Sequence, residues 1–422
     1  MGKDGRIELM SPAGDWASLQ AAIDHGADSV YFGVEQFNMR AVSTTNFTIE
    51  ELPEVVNLCK EKGVRTYLAM NTIIYDHDLS VIKKVSNTAK KIGVDALIVM
   101  DQAIINYARQ IGLEVHISTQ LNITNIETVK FYSFFADVMV LSRELSLKQI
   151  QKISKQIQRE EIMGPSGRLV EIEIFCHGAL CMAISGKCYL SLHSKNSSAN
   201  RGACKQNCRK KYTVIDQENG FDISINNEYM MSPKDLCTID FLDQIISSGV
   251  KILKIEGRGR SPEYVAVTTA CYREAIDAIA NDNLEEKNPD KWRERLNSVY
   301  NRGFWSGYYL GKKLGGWSEV SGSVAIHKKV YLGKGRHYYP KSSIGEFIIE
   351  ANAIHLGDKI LIIGPTTGVK EIQVNSLKVE NHYTKCADKG QICTIPINFR
   401  IRNSDKIYKL VKNDVNHYLT KK

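Results

Sequence analysis

Six of the ten cysteines crowd into one stretch of the chain: Cys176, Cys181, Cys188, Cys204, Cys208 and Cys237. Thiolates are soft ligands and good nucleophiles, so such a group can hold zinc or an iron–sulfur cluster, or simply stay reduced. In the set Cys181, Cys188, Cys204 and Cys237, six, fifteen and thirty-two residues separate successive members, and no histidine replaces a cysteine. Zinc sites favour two close pairs whose tight turns pre-form a tetrahedron. The close pair here is Cys204 and Cys208, and it has no counterpart. Wide, irregular spacing favours a [4Fe–4S] cube wrapped by loops; zinc and free structural thiols stay open. From Ile174 to Ile215 there is no acidic residue, and seven basic ones occur: Lys187, Lys195, Arg201, Lys205, Arg209, Lys210 and Lys211. An anionic tetrathiolate cluster gains from nearby cations. A solvated loop or a patch for an anionic substrate explains the same run. Cys59, Cys271, Cys386 and Cys393 are scattered and read as small buried hydrophobes.

These residues need a scaffold, and the rest of the chain supplies one. Short apolar runs lie at Ile7–Met10, Ser29–Val34, Arg65–Met70, Ala96–Met100, Glu114–Ile117, Val138–Leu141, Val170–Phe175 and Ile252–Ile255. Amphipathic stretches at 15–25, 49–62, 79–92, 103–111, 126–134 and 147–157 alternate with them. Gly26, Gly63, Gly93, Gly112 and Gly249 stand where a helix hands over to the next strand, as left-handed helix caps do. Eight strands with crossover helices predict an α/β protein, a TIM-like (β/α)8 barrel. The alternative is an open doubly wound sheet. It would carry a glycine-rich phosphate fingerprint after its first strand, and Ser11-Pro12-Ala13-Gly14 is not one. Strands seven and eight start about 80 residues apart, so a cysteine-rich insertion at about 177–250 leaves the barrel on the face where such enzymes build their sites. Residues 263–280 read as the last helix, and 301–311 continue the first domain.

Composition sets the outer bounds. The chain has 422 residues, 43% hydrophobic and 24% charged, which is ordinary globular usage and excludes disorder and coiled coil. No run approaches the roughly 20 apolar residues of a membrane span, and Met1–Met10 has no apolar stretch of signal-peptide length. A soluble, cytoplasmic protein with reduced thiols is expected. The net charge is +8, and its location is informative: residues 318–422 hold 17 basic and 9 acidic residues, while the first 317 are balanced at 38 each. Short β-rich runs at 321–324, 343–351, 359–364, 371–379 and 391–401 predict a small C-terminal β-barrel after a catalytic barrel domain of residues 1–317. Lys328, Lys329, Lys334 and Arg336 lie among Tyr331, Tyr338 and Tyr339. Cations contact phosphates and rings stack on single-stranded bases, so this domain is a candidate RNA holder; a solvated structural barrel explains it too.

The run from Glu173 to Ser191, containing Cys176-His177, Cys181 and Cys188, resembles the signature of the collagenase-like peptidase family U32. So do Asn200–Arg209, Ser232–Cys237 and Lys254–Arg258, and the likeness extends from Ser11–Gly14 to Asn301–Phe304. Residues 353–368 are similar to barrels of translation-factor type, which dock RNA. The family resemblance implies an oxygen-independent hydroxylase carrying a [4Fe–4S] cluster on Cys181, Cys188, Cys204 and Cys237, with Cys208 the rival for one position. Within the family it points to the branch that makes 5-hydroxyuridine at the tRNA wobble position, with prephenate as hydroxyl source. A ribosomal RNA cytidine hydroxylase, a collagenase-like peptidase and a non-catalytic RNA-binding module are the rivals. The electron donor is not specified.

A peptidase needs an activated nucleophile or metal-bound water. The chain has no H-E-x-x-H and no G-x-S-x-G, and Cys176 and His177 as strand neighbours point to opposite faces. Hydroxylating an RNA base requires a redox centre and a pocket for an unstacked base. Polar residues at strand ends supply the candidates. Glu256 and Arg258, with Glu144 and His177, are the expected catalytic groups. Arg143, Arg201, His116, Gln120 and Asn71 are the expected substrate-binding groups. Two substrate carboxylates call for arginine partners, and Arg143, Arg201 and Arg258 qualify by position.

Overall fold

The computed structural model describes residues 6–413 apart from 36, 43, 214–228, 283–287 and 312–314. Seven strands follow one another: β1 (Glu8–Pro12), β2 (Ser29–Gly33), β3 (Arg65–Met70), β4 (Ala96–Val99), β5 (Glu114–Ile117), β6 (Val138–Val140) and β7 (Glu171–Gly178). Two more follow the insertion, β8 (Asp235–Cys237) and β9 (Ile252–Ile255). Strands β1 to β7 pair in sequence, and β9 lies parallel to both β1 and β7, which closes an eight-stranded parallel barrel. Nearly every residue of these eight strands is buried, because side chains fill the barrel on one face and meet helices on the other. This is why the runs are continuously apolar and not alternating. The expected helices are present and start where side chains satisfy the orphan N–H groups. Asp15, Asp101 and Asn125 each cap a helix through a side-chain oxygen. Gly93 ends helix 79–92 at φ +84°, a backbone state that suits glycine.

The insertion is built differently from a single long loop. Residues 179–213 rise over the barrel mouth with one short helix, Leu190–Lys195. Residues 214–228 lie outside the described residues. The chain then returns into the wall as β8, which pairs antiparallel with the end of β7 (His177 opposite Cys237) and parallel with β10 (Phe304–Trp305). Helix Pro289–Ser298 was not visible in the sequence, since only Trp292 and Leu296 are buried in an otherwise charged stretch.

The C-terminal region is antiparallel sheet. Its spine is the 13-residue strand His327–Tyr339, paired on one side with Lys406–Lys412 and on the other with Ile344–Ile349. The sheet encloses its own core of Leu332, Phe347, Ile360, Ile362, Ile395 and Ile407. Residues 321–324, expected to be a strand, instead cling to the barrel domain: the Val324 N–H donates to the Asn301 carbonyl. Ion pairs Lys370–Asp24 (3.2 Å) and Lys329–Glu263 (2.9 Å) seat the sheet on the barrel helices. Among the described residues no helix is long and apolar enough to cross a membrane.

Candidate active site

The strand ends and the rising insertion enclose a cavity of about 640 Å³. Its floor and walls are Tyr31, Asn71, Ser118, Gln120, Phe175 and Lys254, and Glu256 and Arg258 follow β9. Glu256 is the one carboxylate among the lining residues; Arg40 pairs with it, and Arg143 and Arg258 lie near enough to act on its charge. Arg40 donates to Glu256 Oε1 from Nε (3.1 Å) and Nη2 (2.5 Å), and Tyr31 Oη donates to Oε2 (3.3 Å). Burial alone would raise the Glu256 pKa, but Arg40, Arg143 and Arg258 hold it down at about 2. Glu256 is therefore a fixed anion and not a proton donor. Arg258 donates to Asn38 Oδ1 at 2.9 Å. Arg143 lies 3.9 Å over the Phe175 ring and donates to the Ala179 carbonyl, while its buried Nε meets no acceptor. Three arginines against one glutamate, with an N–H unsatisfied, suit an anionic guest. Asn71 Nδ2 donates to Ser118 Oγ (3.4 Å) and Gln120 Oε1 (3.3 Å), which forms a polar floor able to read a heterocycle edge.

Below this floor lies a second charged layer with no surplus. Lys254, which also reaches the cavity lining, donates from Nζ to Glu173 at 2.7 Å, and His116 sits between Glu173 (3.5 Å) and Glu114 (3.7 Å). Burial lowers the pKa of His116, yet the two carboxylates outweigh it and push it up to about 9. These separations are ion-pair contacts, and His116 Nδ1 and Glu173 Oε2 have no short hydrogen bond. Glu8, bonded to Tyr67 (2.9 Å) and paired with Arg65, completes the layer.

Four thiols line the cavity: Cys181, Cys188, Cys204 and Cys208. Burial raises the Cys208 pKa, Arg209 opposes this, and Cys181, Cys204 and Cys188 are close enough to add to the rise. All four are free thiols and at least partly exposed. Cys237 is elsewhere. Strand β8 carries it back into the wall, 3% exposed, with the Tyr272 hydroxyl 3.9 Å from its sulfur. Of the set expected from resemblance, Cys181, Cys188 and Cys204 line the cavity together with the rival Cys208, while Cys237 lies in the wall behind it. The chemistry of this donor set fits a metal–sulfur group, although among the described residues no three His, Cys, Asp or Glu side chains already stand at metal-binding separations.

Other expected residues also move. His177 is 1% exposed and does not line the cavity; a bulge between Phe175 and His177 turns it against Tyr264, Tyr272 and Phe304. Burial, with Arg260 nearby, lowers its pKa to about 3, so it is a neutral core histidine. His116 lies in the balanced layer below the cavity. Arg201 is a clamp: it donates to Asp78 (2.5 Å) and to the Ile73 carbonyl (2.7 Å) and stacks on Tyr75. Glu144 accepts from Ser142 and faces a side cleft with Trp305 and Trp317. Lys329, Lys334 and Arg336 pair with Glu263, Glu350 and Glu346, and among the described residues Lys328 makes no ion pair. Asn71, Gln120, Arg143, Glu256 and Arg258 do meet in the cavity. Arg40 was missed: it sits in a polar loop whose sequence has no periodicity to direct it inward.

The model of peptidase family U32 matches residues 14–319. A protein named collagenase from Porphyromonas gingivalis (strain ATCC BAA-308 / W83) is 51% identical over 408 residues, 97% of this chain and 99% of that one. The tRNA hydroxylation protein P1 of Bacillus subtilis (strain 168) is 31% identical over 366 residues, 85% of this chain and 83% of that one. The 23S rRNA 5-hydroxycytidine C2501 synthase of Escherichia coli (strain K12) is 37% identical over 278 residues, 66% of this chain and 40% of that one. With the family model spanning most of the barrel domain and a relative matched from end to end, the chain belongs to peptidase family U32.

Proposed function

We propose that the chain is an oxygen-independent RNA hydroxylase that forms 5-hydroxyuridine in tRNA. The observation that carries this reading is one cavity in which four thiols face three arginines around a single glutamate. Cys181, Cys188, Cys204 and Cys208 would hold a [4Fe–4S] cluster, which supplies one-electron redox chemistry when bound. Arg143 and Arg258 bind the carboxylates of a small hydroxyl donor such as prephenate, and Glu256 fixes the arginine array. Asn71, Ser118 and Gln120 read the edge of a flipped uracil. The net exchange balances when the C5–H bond of uracil becomes C5–OH while a C–O bond of the donor becomes C–H. A cytoplasmic location goes with an RNA substrate and with thiols kept reduced.

The relative named collagenase favours a peptidase as second reading. Against it, Cys176 and His177 are both closed inside the wall, where neither can reach a peptide. The test is reconstitution: cluster-loaded protein, unmodified tRNA and prephenate, incubated without oxygen, followed by nucleoside mass spectrometry. A gain of one oxygen on uridine is expected. Hydroxylated cytidine in ribosomal RNA with none in tRNA would move the substrate to the ribosome. Collagen cleavage that persists in Cys204→Ala, with no hydroxylated nucleoside, would overturn the proposal.

A further inference from the structure

The sequence points to the C-terminal sheet as the RNA holder, yet the structure pairs three of its four candidate cations with carboxylates. The opposite holds on the excursion above the cavity. Lys187, Lys195, Lys205 and Lys210 are exposed and, among the described residues, make no ion pair, and the sequence from 174 to 215 around them has no acidic residue. Large apolar side chains stand open among these lysines: Tyr189 is 74% exposed, Ile184 53% and Met182 45%. Lys187, Tyr189 and Met182 also line the cavity, so this face is continuous with its mouth.

Resting on the RNA reading above, we infer that the outer face of residues 182–210 is the surface that grips single-stranded RNA and feeds one nucleotide into the cavity. Unpaired lysines offer phosphate contacts without first breaking an internal ion pair. Exposed Tyr189 and its apolar neighbours offer a platform for base faces, which only unstacked, single-stranded nucleotides present. An acidic polypeptide would answer the lysines and leave that platform uncovered. Arg201, clamped to Asp78, holds this face rigidly over the barrel.

The full-length protein tests this by fluorescence anisotropy with a labelled oligouridylate and with tRNA across a potassium chloride series. Lys195→Glu/Lys210→Glu should weaken binding by on the order of 100-fold and flatten the salt slope by roughly 1.4 for two phosphate contacts on a single strand. Tyr189→Ala should cost about tenfold with an unchanged slope. Lys334→Glu/Arg336→Glu should stay within about twofold of the unmodified protein. Melting temperature and iron content, held equal to the parent, exclude misfolding; Lys195→Ala/Lys205→Ala serves as a second pair. Loss of binding in the sheet variant with normal binding in the excursion variants would overturn the inference while leaving the RNA reading intact. Competition by polyglutamate as strong as by oligouridylate would also overturn it. A protein that binds neither RNA would bring down both.

Discussion

The mouth of the barrel and the layer just beneath it are made of the same residue types and solve opposite problems. Beneath, Glu8, Glu114 and Glu173 face Arg65, His116 and Lys254, three carboxylates against three cations. At the mouth, Arg40, Arg143 and Arg258 surround Glu256, the one carboxylate among the lining residues, and four thiols stand open. A buried charge must be paired or it costs several kcal/mol. The lower layer obeys that rule within the chain. The upper layer has more cations than carboxylates along its lining, which suits an anionic guest. Cysteines divide the same way, with Cys176 and Cys237 sealed in the wall and Cys181, Cys188, Cys204 and Cys208 at the rim.

The largest expected effect tests the cysteine division. Cys208→Ala should abolish iron and acid-labile sulfide in anaerobically purified protein, and Cys237→Ala should retain them. The reverse pattern would restore Cys237 as a ligand and break the contrast between rim and wall. Next comes the balanced layer. Lys254→Met leaves Glu173 buried without its closest partner and should cost about 3–5 kcal/mol in chemical denaturation. The double change Lys254→Met/Glu173→Leu should recover much of that loss.

The pH dependence follows from His116. Its folded pKa, about 9, lies above its ordinary value of 6.5, so its contribution is fully present below pH 6.5 and is lost as pH rises through 9. The loss should be at most about 3 kcal/mol, and His116→Phe should flatten that limb of the stability profile. Glu256, with its pKa held at about 2, acts on the other limb: its contribution is present above about pH 4.5 and is lost toward pH 2. Arg258→Ala should weaken binding of a small dicarboxylate by on the order of 10- to 100-fold in calorimetry, as expected for lost hydrogen bonds to a charged group. The smallest effect belongs to the surface: Lys334→Ala removes a half-exposed pair with Glu350 and should change stability by under about 1 kcal/mol.

Much of the scaffold was legible in the chain. Each barrel strand is a short apolar run, and each crossover helix has a face of period 3.6, so local pattern and global fold agree. The strand 406–412 was not legible, because Lys406, Lys409 and Lys412 recur every third residue, off the two-residue period of a strand, and only Ile407 is fully buried. Within the site, Glu256 and Arg258 were found because they directly follow a recognisable strand. Arg40 and the Arg201 clamp were not, since each acts across the fold: Arg40 on Glu256, 216 residues away, and Arg201 on Asp78, 123 residues away.

By itself the sequence determined the barrel, the place of its cysteine-bearing insertion and the basic bias of the chain beyond it. Those properties reside in periodicity and composition, which are local. Tertiary structure alone decided which cysteine joins the rim, which histidine is walled in and which cations remain unpaired. Each of those depends on a neighbour brought in from a distant part of the chain: β8 folding back on β7 buries Cys237, the bulge at Phe175 turns His177 outward, and glutamates on other strands neutralise the basic spine of the sheet.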